Sequence, residues 1–409
     1  MTPLPLHGVV VADYSQYVAG PLCTLLLADL GADVIKVEPP QGDQWRRQEP
    51  CGDDLSGPFL ALNRNKRSIV LDLKSVEGRD ASASLLADAD IVVHNFPAQR
   101  AAAFGLGREA VRAANPGATL VVISAFGSEG PASERTAYDL SAQAASGLLM
   151  ADARAGDLVP IRAGGIAMAD LAAGFLAAVA ALAGLARARG TGRGGELEVS
   201  LLGAALAVQI QRFVSIEAHD KPLGTEPAVA DIAALDQVAR QAELGLRINP
   251  YYRAYATSDG FLTIACLNMA QRESLLETFG LEDRSAANPD EVPASPQEVR
   301  RREQVVEALA SELAERPARE WVDRLRARGV PCEEVRTLEN LLDEPQVEAN
   351  GLVQRIDQPG LGPVRLLGTV FKLDGKVFPP ERPAPARGEH SAEVLTALRD
   401  LPHASAVRP

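Results

Sequence analysis

From Leu171 to Ala186 the chain carries no polar side chain. The run is rich in Ala and Leu, which predicts a helix. It is apolar all round, which predicts a buried helix rather than an amphipathic surface one. Arg187 and Arg189 then place cations where a helix C-terminus favours them, and Gly190 marks the expected stop. Asp170 stands at the other end. An Asp at a helix start reads first as an N-cap, its oxygen accepting from the free backbone N–H groups. The same position suits an ionised carboxylate serving as a nucleophile, since the helix end favours the charged form. Gly164 and Gly165 just before it leave room for a ligand to approach the backbone. The helix alone does not choose between the two.

A buried helix needs a layer to lie on, and the N-terminal half supplies one. Val9–Asp13 reads as a buried strand, Gly20-Pro21 opens a helix through Leu30, and Asp33–Glu38 is a second strand. Strand, helix and strand in so short a span predict a parallel α/β sheet. The Gly-x-Gly-x-x-Gly fingerprint is missing from the first turn, so a standard nicotinamide-dinucleotide site is not expected. Further strands are predicted within Leu62–Lys74, Ala87–Phe96 and Thr119–Gly127, and ligands bind at the C-terminal ends of such strands. His94 reads as a polar strand-end residue or as a ligand contact. Two cationic stretches stand out, one at Arg46 and Arg47 beside Trp45, the other at Arg64, Lys66 and Arg67. The second reads either as a solvated loop or as a clamp for phosphate or carboxylate.

With 409 residues, two domains are the default. A net charge of −13 argues against a nucleic-acid partner, though not against a small anionic ligand held by a local cation cluster. The four cysteines lie too far apart for a zinc site or a disulfide framework, and Cys23 and Cys266 read as buried thiols. The first residues lack the basic and apolar regions of a signal peptide, and no run reads as long and apolar enough to span a bilayer. A cytoplasmic protein with no membrane partner is expected. Towards the C-terminus, Asp231–Arg247 predicts an amphipathic helix and Tyr251–Cys266 two strands joined by a Ser-Asp-Gly turn. Ser295–Glu320 predicts a charged surface helix, and proline-rich Pro379–Arg387 an extended arm suited to wrapping a partner chain.

Taken in order, these segments resemble the class III CoA-transferase family of CaiB/BaiF type. The resemblance rests on Asp13 with Ala19-Gly-Pro21 and Leu27–Glu38, on Asn63–Lys74, and on Asn95-Phe96 after its strand. It continues through Tyr138–Gly147, the Asp170 helix, Thr191–Ser200, Gly329–Cys332 and Gly388–His390. The family includes formyl-CoA:oxalate and carnitine CoA-transferases and the α-methylacyl-CoA racemases. It implies an α/β fold with a large Rossmann-like parallel-sheet domain and a smaller α+β domain, in an interlocked homodimer. The large domain would take residues 1–205 and 331–409, and the small domain with its linkers 206–330. The partners implied are a coenzyme A thioester and a carboxylic acid. Coenzyme A enters as acyl-CoA substrate, with no metal and no tightly bound cofactor.

The resemblance also implies roles. Asp170 aligns with the catalytic aspartate, which forms a covalent aspartyl intermediate. Val18, Ala19 and Tyr138 fall at the reacting carbonyl, and Leu71, Asp72, Leu73, Lys74, Asn95, Phe96 and Arg100 at coenzyme A. Arg100 stands in for an arginine that many members carry at the place of Ala103. The cationic side chains elsewhere (Arg46, Arg47, Arg135) are candidates for the phosphates or for a second carboxylate. The Gly-rich loop of oxalate-type members has no counterpart between residues 220 and 250, which argues against that reaction. A racemase needs two acid/base groups on opposite faces, yet Tyr138 occupies the place of that branch's histidine. A binding protein without catalysis would have no use for Asp170.

Overall fold

The computed structural model describes residues 3–151, 159–211, 213, 214, 248–291, 293 and 295–400. The chain divides into two compact units, one of Met1–Leu149, Arg162–Lys221 and Leu342–Pro409, the other of Met150–Ile161 and Pro222–Leu341. Compared with the expected boundaries at 205 and 330, these divisions fall later in the chain, after Lys221 and after Leu341. Helix α8 (Leu201–Ala207) packs on the helix before it and keeps the chain in the large unit. Cys332–Glu334 pairs with a strand of the small unit and holds the chain there beyond 330. The segment 231–247 lies outside the described residues.

The large unit is built on six parallel strands. They are β1 (Val10–Asp13), β2 (Asp33–Glu38), β5 (Arg67–Val70), β6 (Ile91–His94), β7 (Thr119–Ser124) and β8 (Glu196–Ser200); a small hairpin of β3 (Pro50–Gly52) and β4 (Leu55–Ser56) stands apart. The order across the sheet is β5-β2-β1-β6-β7-β8. Counted along the sheet's own strands this is the doubly wound order, whose direction reverses between β1 and β6. Helices α1 (Ala19–Asp29), α2 (Gly57–Asn63) and α3 (Val76–Asp88) lie in the first three crossovers; α4 (Ala98–Ala103) and α5 (Arg108–Ala114) join β6 to β7. All of β1 is buried, as a strand covered on both faces should be. The helix Ser391–Asp400 returns to this core through Val394 and Leu398.

Helix α7 (Met168–Thr191) follows α6 (Asp139–Ala145) and departs from the sequence reading in four ways. It ends at Gly192 in the left-handed conformation, φ 68°, not at Gly190. Asp170 is not its N-cap; that position is Ala167, without a side-chain bond. Nor is it buried all round. Ala169, Ala173, Ala177, Ala181, Leu185 and Ala188 form a buried stripe, while Phe175, Leu176 and Val179 are 51%, 39% and 63% exposed. Its 24 residues are also long and apolar enough to cross a membrane by length and composition, contrary to expectation. The small residues of the buried stripe instead pack it on α1, α8, β7 and β8.

Gly174 sets how closely α7 and α1 approach. A Cβ there would stand 2.8 Å from the Ala19 carbonyl oxygen and 2.9 Å from Leu22. Asp170 lies one turn before it on the same face, so this contact fixes the distance from Asp170 to the start of α1. Gly174→Ala should therefore cost about 1–3 kcal/mol of stability through overpacking, and lower kcat more than any surface Gly→Ala change. Thermal melts together with transfer assays check both.

The small unit is α+β. Strands β9 (Tyr252–Ala256), β10 (Phe261–Ala265) and β11 (Cys332–Glu334) form an antiparallel sheet in the order β11-β10-β9. The predicted turn joins β9 to β10, with the Thr257 N–H donating to Gly260. Helix Met269–Phe279 opens on a capping box of Asn268 and Gln271, and helix Pro296–Leu313 on Ser295. Their apolar faces meet Trp321, Val322 and Leu325 of helix Ala318–Arg326 in one core.

Candidate active site

A cavity of about 640 Å³ lies in the large unit, where the sheet order reverses. Its lining includes Gln16, Tyr17, Val18 and Ala19 beyond β1, and His94, Asn95 and Phe96 at the end of β6. Ser124, Ala125, Tyr138, Asp170 and Glu198 also face it. This is where the strand ends of a doubly wound sheet leave a crevice for ligands.

Much of the charge that looked available for ligands lies beneath the cavity instead. Asp13 is fully buried and accepts from the Ser15 N–H, the Ser15 hydroxyl, Thr24 Oγ1 at 2.6 Å and Lys66 Nζ at 3.2 Å. Burial alone would raise its pKa, but Lys66, Lys36, Ser15 and Thr24 bring it down to about 2. Arg46 is 1% exposed; its guanidinium donates twice to Glu38, at 2.7 and 2.6 Å, and lies 3.8 Å over the Phe59 ring. Arg64 pairs with Asp29 in the same buried layer. Arg46, Arg64 and Lys66 are therefore neither a solvated loop nor a ligand clamp; they are internal partners of three carboxylates, Glu38 on β2, Asp29 on α1 and Asp13 on β1. Arg67 pairs with Asp33 and Glu393. The cations on the cavity wall are Arg100, Arg108 and Arg135.

The proline-rich arm serves the same scaffold. Arg46 donates to the Pro385 carbonyl at 3.1 Å, and Asn65 Oδ1 accepts from the Glu381 and Arg382 N–H groups. Gln358 bonds both ends of Ala384's peptide group. The arm is bound to its own unit along this length.

At the Asp170 end, the capping role belongs to Asp139, the first residue of α6. One of its oxygens accepts from the Ala169 N–H at 2.9 Å and the Asp170 N–H at 3.3 Å. The other accepts from Gln143 at 2.8 Å and lies 3.5 Å from Arg162. The capping anion thus comes from another helix and sits beside the Asp170 carboxylate. Burial first, then the Asp139 charge, push the Asp170 pKa up to about 7, against the pull of Arg162. The helix start does not hold this carboxylate in its ordinary range, as an N-cap reading implies; desolvation and a like charge outweigh the dipole. Asp139→Asn keeps an acceptor for the N–H groups and removes that charge. The acid limb of the kcat/KM profile should then move down by about one pH unit; an unmoved limb would mean that Asp139 does not set it.

A family model described as CoA-transferase family III matches residues 6–391. The chain belongs to CoA-transferase family III. It is 31% identical over 395 residues to succinyl-CoA:glutarate CoA-transferase of Homo sapiens, covering 96% of this chain and 85% of that one. It is 30% identical to succinate–glutarate CoA-transferase of Agrobacterium fabrum, with 97% and 96% covered. It is 31% identical to succinyl-CoA:mesaconate CoA-transferase of Haloarcula hispanica, with 95% of each chain covered. Among solved structures it is similar to a CaiB/BaiF family protein from Brucella suis, with a TM-score of 0.77 and 27% identity, covering 97% of this chain and all of that one. The protein is an acyl-CoA:carboxylate CoA-transferase, acting on coenzyme A thioesters and carboxylic acids.

Of the residues singled out from the sequence, this family III CoA-transferase gathers Val18, Ala19, Asn95, Phe96, Arg100, Tyr138 and Asp170 around one cavity. Leu71, Asp72, Leu73 and Lys74 do not line it. Leu71 and Leu73 are buried in the sheet's core, and Asp72 and Lys74 are exposed beyond β5. Asn95 lines the wall, yet its amide is taken on both sides, accepting from the Gln16 N–H at 3.1 Å and donating to the Gln16 carbonyl at 2.9 Å. It fastens the loop after β1 while lining the cavity. His94 is buried, its pKa pushed down to about 4 by burial despite a backbone hydrogen bond with Leu106, so it stays neutral.

Sequence reasoning missed Asp139's cap, the Tyr17 loop and Glu198. Glu198 accepts from the Ser128 hydroxyl at 2.6 Å and from its N–H at 3.2 Å. Burial would raise its pKa; Ser124 and Ser128 hold it below the ordinary value. The alternation of Glu196, Leu197 and Glu198 on a strand was a usable signal, since it places both carboxylates on one face.

Proposed function

We propose that this CoA-transferase works through covalent aspartyl intermediates on Asp170, with dicarboxylic acids as its donor and acceptor acids. The observation that carries the first part is one carboxylate lining the switch-point cavity beside the start of α1, its pKa raised to about 7. A carboxylate with raised pKa is a better nucleophile once ionised, and at neutral pH a large share is ionised. The Asp170 oxygen attacks the thioester carbonyl, the C–S bond breaks, and an acyl-aspartyl anhydride and coenzyme A thiolate result. The thiolate attacks the aspartyl carbonyl, releasing the donor carboxylate and leaving an aspartyl thioester. The acceptor carboxylate attacks that thioester, the thiolate leaves, and its return to the acceptor's carbonyl frees Asp170. Protons balance throughout. Each tetrahedral step carries an oxyanion, for which the backbone N–H groups at the start of α1, at Val18 and Ala19 on the cavity wall, are the donors in this reading.

The dicarboxylate reading rests on the relatives, whose names pair succinyl-CoA with glutarate and mesaconate, and on Arg100, Arg108 and Arg135 around the cavity, which suit a second carboxylate as well as phosphates. The purified protein should use succinyl-CoA with glutarate at least about 10-fold better, in kcat/KM, than acetyl-CoA with a monocarboxylate of equal length. The reverse preference would reject it. The assembly is taken as an interlocked homodimer, for which the exposed Phe175, Leu176 and Val179 of α7 offer an apolar face. The cytoplasm is its compartment on the strength of four free cysteines.

A further inference from the structure

The loop between β1 and α1 holds a conformation that its sequence does not favour. Tyr17 has φ 70°, in the left-handed region, where only glycine sits without strain. Its neighbours are pinned from below. Lys36 Nζ donates to the Ser15 carbonyl at 3.0 Å and pairs with Asp43 Oδ2 at 2.8 Å. Both side chains are 0% exposed. The other oxygen of Asp43 accepts from the Tyr17 N–H at 3.4 Å and from the Trp45 N–H at 3.0 Å. Asp43 is itself held by Glu38, whose carboxylate accepts its N–H at 2.9 Å. From above, Asn95 fastens Gln16 and the Tyr17 hydroxyl donates to Gln44 at 2.9 Å. A buried ion pair is a poor source of stability compared with apolar packing, and no step of the transfer uses Lys36 or Asp43. What the pair does hold is the one strained residue immediately before Val18 and Ala19.

We propose that the buried Lys36–Asp43 pair is a positioning device that enforces the left-handed turn at Tyr17 and so aims the first N–H groups of α1 at the acyl oxygen. The inference rests on the reading that these N–H groups serve the oxyanion. The pair acts before substrate arrives, as preorganised donors require. Lys36 and Asp43 are positioning residues and touch neither substrate nor Asp170.

The test couples the pair to the strain. Asp43→Asn removes the charge facing Lys36, and Tyr17→Gly removes the need for enforcement, because glycine adopts the turn freely. With Tyr17 intact, Asp43→Asn should lower kcat by about 10-fold or more with little change in the acyl-CoA KM. In the Tyr17→Gly background the same change should lower kcat by less than about 3-fold, and in a Tyr17→Ala background by the full amount. Equal losses in all three backgrounds, or a rise in KM at constant kcat, would overturn the proposal. If Asp43→Asn does not fold, Lys36→Met with Asp43→Leu replaces the pair by apolar side chains and is read by the same three comparisons. Adduct formation at Asp170 is followed in parallel. The wild type forming an adduct that Asp43→Asn forms more slowly supports both readings. A wild type that forms none rejects the covalent route, while the glycine-specific coupling in kcat still decides the role of the pair.

Discussion

Asp170→Asn will abolish transfer while leaving acyl-CoA binding within a few-fold of the wild type, and it will make the protein more heat-stable. The kinetic loss should be about 10⁴-fold or greater in kcat, the scale seen when a covalent nucleophile is removed from a site whose binding groups remain. The stability gain follows from linkage. The folded pKa of Asp170 is raised from 3.8 to about 7 by burial and by Asp139. A carboxylate with raised pKa binds its proton more tightly in the folded state, so its contribution to stability is fully present below the unfolded pKa and is lost as pH rises to the folded one. At pH 8 the wild type holds a charged, poorly solvated carboxylate beside a second one, and the Asn variant does not. The variant should melt about 2–4 °C higher at pH 8, with the difference fading towards pH 4. Such a trade of stability for function is expected of a working site. A variant that loses activity and melts lower at pH 8 would show that Asp170 is structural.

The second large effect lies under the cavity. Asp13→Ala should destabilise the protein by about 3–5 kcal/mol, because it leaves Lys66 fully buried without its carboxylate. Lys66 already sits at about pKa 8, pushed down by burial more than Asp13 restores it. By contrast, Asp13→Leu with Lys66→Met together should recover most of the loss, since apolar replacement of a whole buried pair is often neutral. In the wild type, Asp13 has its folded pKa lowered to about 2. Its stabilising contribution is therefore fully present above the ordinary carboxylate range and is lost progressively as pH falls from 3.8 through about 2. Urea melts of the three proteins at pH 7 and pH 3 measure both points. If the double variant proved as unstable as Asp13→Ala, the network's value would lie in its hydrogen bonds to Ser15 and Thr24 rather than in the ion pair.

These two aspartates also mark what could be read in the sequence. Five of the six strands of the parallel sheet, the long helix and the position of Asp170 near its start were legible, because hydrophobic periodicity and helix propensity are local properties; β8, with Glu196 and Glu198 in its short span, was not. The destination of charge was not. Arg46, Arg64 and Lys66 looked like a solvated or ligand-facing set, yet each is buried against a carboxylate between 8 and 53 residues away. No local pattern announces such a partner. The cap of α7 failed for the same reason, since Asp139 reaches it from 30 residues upstream. The open apolar face of α7 was invisible for a different reason. A run of Ala, Leu, Val and Phe has no polar stripe to show which side faces out. Tyr17 gave no signal at all, because a left-handed tyrosine breaks a local preference that the buried pair behind it overrides.

The most direct test of the account is the mass of the Asp170 peptide after the enzyme is mixed with acyl-CoA and no acceptor acid. The peptide carrying Asp170 should gain the mass of coenzyme A bound as a thioester, and hydroxylamine should convert it to the hydroxamate. Free donor acid should appear in equal amount. An enzyme that turns over fully with Asp170 unmodified, or that carries the label on another residue, would contradict the covalent role given to this carboxylate.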